Sequence, residues 1–118
     1  MNRGEVVMAE NRLKFYWMSA DEVCTEVEVC FEPFKVNYNN ITSSKLKMLC
    51  FPGHEITRDW LDRFFERRVW SRHRPDSDEL LRSIGLTKYD PLDIVKITHG
   101  RMNSDNFWIK FEGKEDLG

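Results

Sequence analysis

The spacing of hydrophobic positions changes once along the chain, near Gly53. Before it the apolar residues are dense or alternate. Leu13 to Met18 reads LKFYWM, and TEVEVCF places Thr25, Val27, Val29 and Phe31 on one face and Glu26, Glu28, Cys30 and Glu32 on the other. A period of 2 with β-branched residues predicts strands. Pro33 closes the second strand, and Phe34 to Tyr38 supplies a third ahead of the Asn39-Asn40 turn signal. Lys45 to Phe51 (KLKMLCF) reads as a further short strand, ended by Pro52-Gly53.

After Gly53 the period lengthens to about 3.6. Thr57 is placed as an N-cap and Asp59 in the first turn; Trp60, Leu61, Phe64, Phe65 and Val69 share a face, with Arg58, Asp62, Arg63, Glu66 and Arg67 outside. The spacing puts Trp60, Phe64 and Phe65 in the core. A second helix is predicted after Pro75, from a capping-box-like Asp76-x-x-Glu79 through Leu80, Leu81 and Ile84 to Gly85. A third opens at Asp90-Pro91, runs through Leu92, Ile94, Val95 and Ile97, and stops at Gly100. Phe107 to Phe111 alternates as a closing strand, with Trp108 on the face away from Phe107, Ile109 and Phe111, and with Asp105 turning the chain into it.

Strands, three short helices and a strand define an α+β class: a small antiparallel sheet of the N-terminal strands plus the C-terminal one, packed with the helices. The 118 residues form one domain without repeat, low-complexity segment or internal linker. A chain of that length buries roughly two-thirds of its unfolded surface, enough for stability without disulfide or metal. Residues 1–9 read as a disordered tail, with Met8 the expected translation start, and residues 112–118 as a charged tail.

Charge changes the picture more than composition does. Eighteen Lys and Arg against twenty Asp and Glu give −2, so no global excess of positive charge marks a nucleic-acid binder. Residues 1–32 hold three basic side chains and seven acids, whereas residues 63–74 hold Arg63, Arg67, Arg68, Arg72 and Arg74 against the single acid Glu66. The sequence thus predicts an acidic end and an arginine-rich stripe, flanked by His73.

Candidate chemistry is sparse. Cys50-x3-His54 could offer two ligands to zinc, with Cys24 and Cys30, six apart on one strand face, completing a site. The chain has no Cys-x-x-Cys pair, and buried cysteine is commonly a small hydrophobe, so no metal or cofactor is expected. His73 among arginines and His99 before a helix-ending glycine read as solvated and capping residues. No G-x-S-x-G elbow, Walker loop or G-x-G-x-x-G is present, and no enzyme is expected. With no apolar run near the roughly 18 residues of a span and no secretory leader, three cysteines read as reduced and the chain as cytoplasmic, without a membrane role.

Three helices followed by a strand suggest a winged-helix arrangement, and the arginines could then serve a nucleic acid. Against that, the second helix begins with Asp76, Asp78 and Glu79, which would face phosphates unfavourably. Guanidinium groups suit carboxylates of a protein partner equally well. Asp59 and Glu66 lie within helical reach of some arginines, so a partly self-neutralised solvated face is the plain alternative.

From Trp60 to Phe111, a basic turn (Arg67-Arg68-Val69, Arg72 to Pro75) precedes a helix (Leu80-Leu81, Ile84-Gly85-Leu86), a Gly100 turn and Asp105 with Phe107-Trp108-Ile109. This pattern resembles the N-terminal segment of divergent bacterial HipA-like proteins. In that group the segment precedes a kinase domain that is lacking here, and His99-Gly100-Arg101 departs from the family's Gly-Leu-Ser-Leu run. The resemblance implies a small protein of phages or other mobile elements in low-GC Gram-positive bacteria, acting as a regulator or inhibitor of host defence. The expected function is a protein-interaction module docking an acidic surface through Arg63, Arg67, Arg68, Arg72, His73 and Arg74; the alternative is a DNA- or RNA-binding regulator using the same side chains.

Overall fold

A computed structural model describes residues 12–112; the expected tail at residues 1–9 and most of the charged tail at 112–118 lie outside them. Strands β1 (Arg12–Ser19), β2 (Glu22–Phe31), β3 (Phe34–Asn40) and β4 (Phe107–Phe111) form one antiparallel sheet in the order β3-β2-β1-β4. Between β3 and β4 the chain crosses one face of the sheet as α1 (Arg58–Glu66), α2 (Ser77–Ser83) and α3 (Pro91–Thr98). The α+β class and the joining of the last strand to the N-terminal ones are as the alternation predicts.

The covered face carries Phe15 and Trp17 of β1, Val27 and Val29 of β2, and Ile109 and Phe111 of β4, all buried against Leu61, Phe64 and Phe65 of α1 and Val95 of α3. Aromatic contacts dominate this core. Phe15 meets Phe65 and Phe111 with centroids 5.6 and 6.0 Å apart, and Trp17 stacks on Phe107 at 4.9 Å. The opposite face is a solvated charge ladder in which Lys14 pairs with Glu26 at 3.0 Å and Arg12 with Glu28 at 3.5 Å. The β2 glutamates that alternate with its core valines therefore find cross-strand partners.

Helix ends follow the sequence signals closely. Thr57 Oγ1 accepts from Trp60 N at 3.2 Å, and Asp90 Oδ1 from Leu92 N and Asp93 N. Gly85, at φ +84°, ends α2 while its N–H reaches Arg82 O and Leu86 N reaches Leu81 O, the two bonds of a Schellman motif. The third helix closes through two successive left-handed residues, His99 and Gly100.

Several expectations are corrected. Register shifts between Trp17 and Met18, where Cys24 is the extra residue of a β-bulge. The bulge turns Cys24 into the core beside Thr25, both fully buried, so Cys24 and Cys30 do not share a face. Lys45 to Phe51 is turn and irregular chain rather than strand: Leu46 is 91% exposed, while Leu49 and Phe51 pack on the core from outside the sheet. Trp60 is only partly buried, stacked between Phe51 and Phe64 at the rim of α1. Asp76 makes no side-chain cap bond and accepts from Arg74 Nε at 2.6 Å instead. The strand after α3 enters the main sheet beside β1, so it is not a wing.

Candidate functional site

The five arginines between residues 63 and 74 do not form one stripe. Arg63 is bound one helical turn away by Asp59, with Nε and Oδ2 2.9 Å apart and both side chains well exposed. Arg74 is held by Asp76. Arg67 is exposed at the end of α1 beside Trp60 and Cys50. His73 is exposed in the turn, its backbone N–H donating to Ser71 Oγ.

Arg68 turns inward from the surface. Its side chain is 10% exposed, with Nε donating to Gly100 O at 3.0 Å, Nη1 and Nη2 to the two oxygens of Asp105 at 3.1 and 3.0 Å, and Nη2 also to Phe107 O. The guanidinium lies 5.0 Å from the Trp17 ring centroid. Asp105 Oδ1 also accepts from Phe107 N. The Arg68 guanidinium, ahead of the opposing effect of partial burial, holds the Asp105 carboxyl below its ordinary range. Arg68 and Asp105 thus fasten the α3–β4 loop to the end of α1, and Arg68 is a structural clamp where a solvated binding residue was expected.

Two guanidinium groups are oriented without being neutralised by a carboxylate among the described residues. Arg72 lies 4.8 Å from the Tyr89 ring centroid and Arg101 4.2 Å from that of Trp108. Each aromatic is itself fixed. The Tyr89 hydroxyl donates to Trp70 O, Trp70 Nε1 to Ser77 Oγ at 2.9 Å, and Trp108 Nε1 to Ala20 O at 2.8 Å. Burial pushes the Tyr89 phenol up, so it stays a neutral donor. A guanidinium held over a ring by cation–π attraction leaves N–H donors for a carboxylate or phosphate.

Arg101 also borders a groove of about 420 Å³, together with Trp70 and Arg74. Val69, Trp70, Ile94 and Met102 give it an apolar floor; Arg74 and Arg101 stand at its sides, Thr98 and Asn103 add neutral polar groups, and among the described residues its lining contains no acid. Sequence reasoning found Arg72 and Arg74 but passed over Arg101, Trp70 and Tyr89. The available signal was an arginine seven residues before Trp108, which only the return of β4 beside the α3 loop makes a contact.

The metal-ligand reading brings nothing together: Cys24 is inside the core, Cys30 partly buried on the other face, and Cys50 exposed. His54 is engaged with Glu55 O, and among the described residues no group of three or more His, Cys, Asp or Glu is arranged to hold a metal. Among them, too, no helix is long and apolar enough to cross a membrane. No protein-family model, curated protein or solved structure matches the chain.

Proposed function

We propose that the protein is a non-enzymatic interaction module that docks an acidic segment of a partner protein into the groove between the α1–α2 turn and α3, with Arg101 as a carboxylate ligand and Arg74 as a second that exchanges Asp76 for the partner's carboxylate. One observation carries this reading: the groove combines an apolar floor with arginine sides and, among the described residues, a lining without acids, in a chain of net charge −2. Apolar anchors surrounded by cationic donors match a peptide that alternates Leu- or Phe-like residues with Asp or Glu. The role implied by the HipA-like resemblance, a regulator or inhibitor carried by a mobile element and acting in the cytoplasm, fits such a module and belongs to the same proposal.

Two fluorescent probes test it, a short peptide alternating leucine with glutamate and a mixed-sequence DNA duplex, each titrated across a salt series. The peptide is expected to bind, and the Arg74→Glu/Arg101→Glu double variant to lose that binding while staying folded, as its melting curve shows. Preferential duplex binding, with a log–log salt slope near the number of phosphate contacts, would replace the protein partner by a nucleic acid.

A further inference from the structure

The two edges of the sheet are treated differently. The outer edge of β4 is closed at Phe107 and Ile109. Phe107 N donates to Asp105 Oδ1 and Phe107 O accepts from Arg68 Nη2. Ile109 N donates to His99 O at 2.8 Å, and Ile109 O lies 3.1 Å from His99 Nδ1. The other edge is β3. Among the described residues, nothing outside β2 makes a backbone bond to Phe34–Asn39.

That edge also carries few of the devices that normally discourage pairing. FKVNYNN has one charge, Lys35, and contains no proline. The irregularity of the sheet lies in the β1–β2 pair, and the β2–β3 register runs unbroken from Phe31–Phe34 to Thr25–Asn40. Two of the large hydrophobics exposed on the described chain, Tyr38 and Ile41, lie on or directly after this strand. A seven-residue edge of this kind is a template for strand addition.

We infer that the occupant is a second copy of this chain, pairing β3 with β3 antiparallel about a two-fold axis at Asn37. The strand is complementary to itself in that register. Val36 faces Tyr38 of the second copy on the helix-covered side, where their β2 partners Val29 and Val27 are buried. On the open side Lys35 faces Asn39, and Asn37 faces its own equivalent, so no like charges are opposed. Ile41, 54% exposed, comes level with Pro33 of the second copy, beyond the end of the ladder. The four-stranded sheets join into one of eight, and the arginine-sided groove, which lies against α3 and the α1–α2 turn, stays outside the interface.

Sedimentation equilibrium on the whole chain tests this. The expected result for wild type is a reversible monomer–dimer equilibrium with Kd roughly between 10 and 100 µM, typical of a small interface. Asn37→Asp opposes two carboxylates at the axis and is expected to weaken the dimer about fivefold or more. Asn37→Lys does the same with two ammonium groups, and an equimolar mixture of the two variants is expected to associate at least as tightly as wild type. Melting temperatures measured on dilute monomer control for folding. The inference is overturned if wild type stays monomeric to about 500 µM, as an edge reserved for a foreign strand would, or if both single variants dimerise as wild type does, which places the contact elsewhere.

Discussion

Arg68 and Asp105, 37 residues apart in sequence, meet in a two-bond guanidinium–carboxylate pair that joins the end of α1 to the entrance of β4. The pair is largely removed from water on the arginine side, and two backbone carbonyls share the same guanidinium. Arg68→Ala leaves Asp105 and two carbonyls without donors and is expected to cost about 2 to 4 kcal/mol. For a domain of this size that lowers Tm by roughly 10 °C or more, measurable by thermal denaturation. Arg68→Lys is expected to recover only part of the loss, because an ammonium cannot reproduce the fork.

The same pair sets a pH dependence. The folded-state pKa of Asp105 is depressed below its unfolded value, chiefly by Arg68. Its contribution is therefore fully present above the unfolded pKa, about 3.9, and fades as pH falls through the folded value. Wild type and Asp105→Asn are expected to differ in stability at pH 7 and to converge in acid. Denaturant midpoints measured between pH 7 and pH 2 check this; a gap that persists at pH 2 would assign the effect to packing.

Core aromatics are expected to rank by burial rather than by size. Phe65, 1% exposed and in contact with Phe15 and Phe64, is expected to cost about 3 to 5 kcal/mol when cut to alanine. Trp60 stands at the rim, and Trp60→Ala is expected to cost less than Phe65→Ala. Chemical denaturation of the two variants gives the order directly.

Two glycines with positive φ separate conformational strain from collision. A Cβ on Gly85 meets nothing within 4 Å, so Gly85→Ala is expected to cost only the left-handed backbone penalty, about 1 to 2 kcal/mol. A Cβ on Gly100 lies 3.2 Å from Arg68 Cβ and 3.3 Å from Ile109 Cδ1, so Gly100→Ala carries the same penalty plus displacement of the clamp. The second variant is expected to melt lower than the first.

The thiols are expected to divide by exposure. Burial pushes the Cys24 thiol up, with Glu22 adding to the effect, and the bulge encloses it completely; Cys50 is exposed. A thiol-specific reagent should label Cys50 rapidly in native protein and Cys24 only after denaturation.

What the sequence made legible were features written in neighbouring residues. The alternation of TEVEVCF, the Thr57 and Asp90 caps and the Gly85 stop are local, and the structure follows each. The bulge was hidden because nothing in the letters of Val23-Cys24-Thr25 distinguishes a strict alternation from one slipped by a residue. KLKMLCF carried apolar content without partners: Leu49 N is spent on Thr25 Oγ1, and Leu46 points to solvent. The arginines were visible but their assignments were not, since Arg68 finds its acid across 37 residues and Arg101 its ring only through the return of β4.

The return of β4 has a consequence for engineering. Because β4 runs antiparallel to β1, Glu112 N reaches Lys14 O at 3.0 Å, and Glu112 comes out beside the start of β1 at Arg12, on the same end of the sheet. From strand spacing the two backbones are roughly 8 Å apart there. A domain whose entry and exit points adjoin can be spliced into a surface loop of a carrier protein without prising the carrier apart. Residues 12–112 are thus suited to serve as a grafted cassette, held at both ends by the carrier.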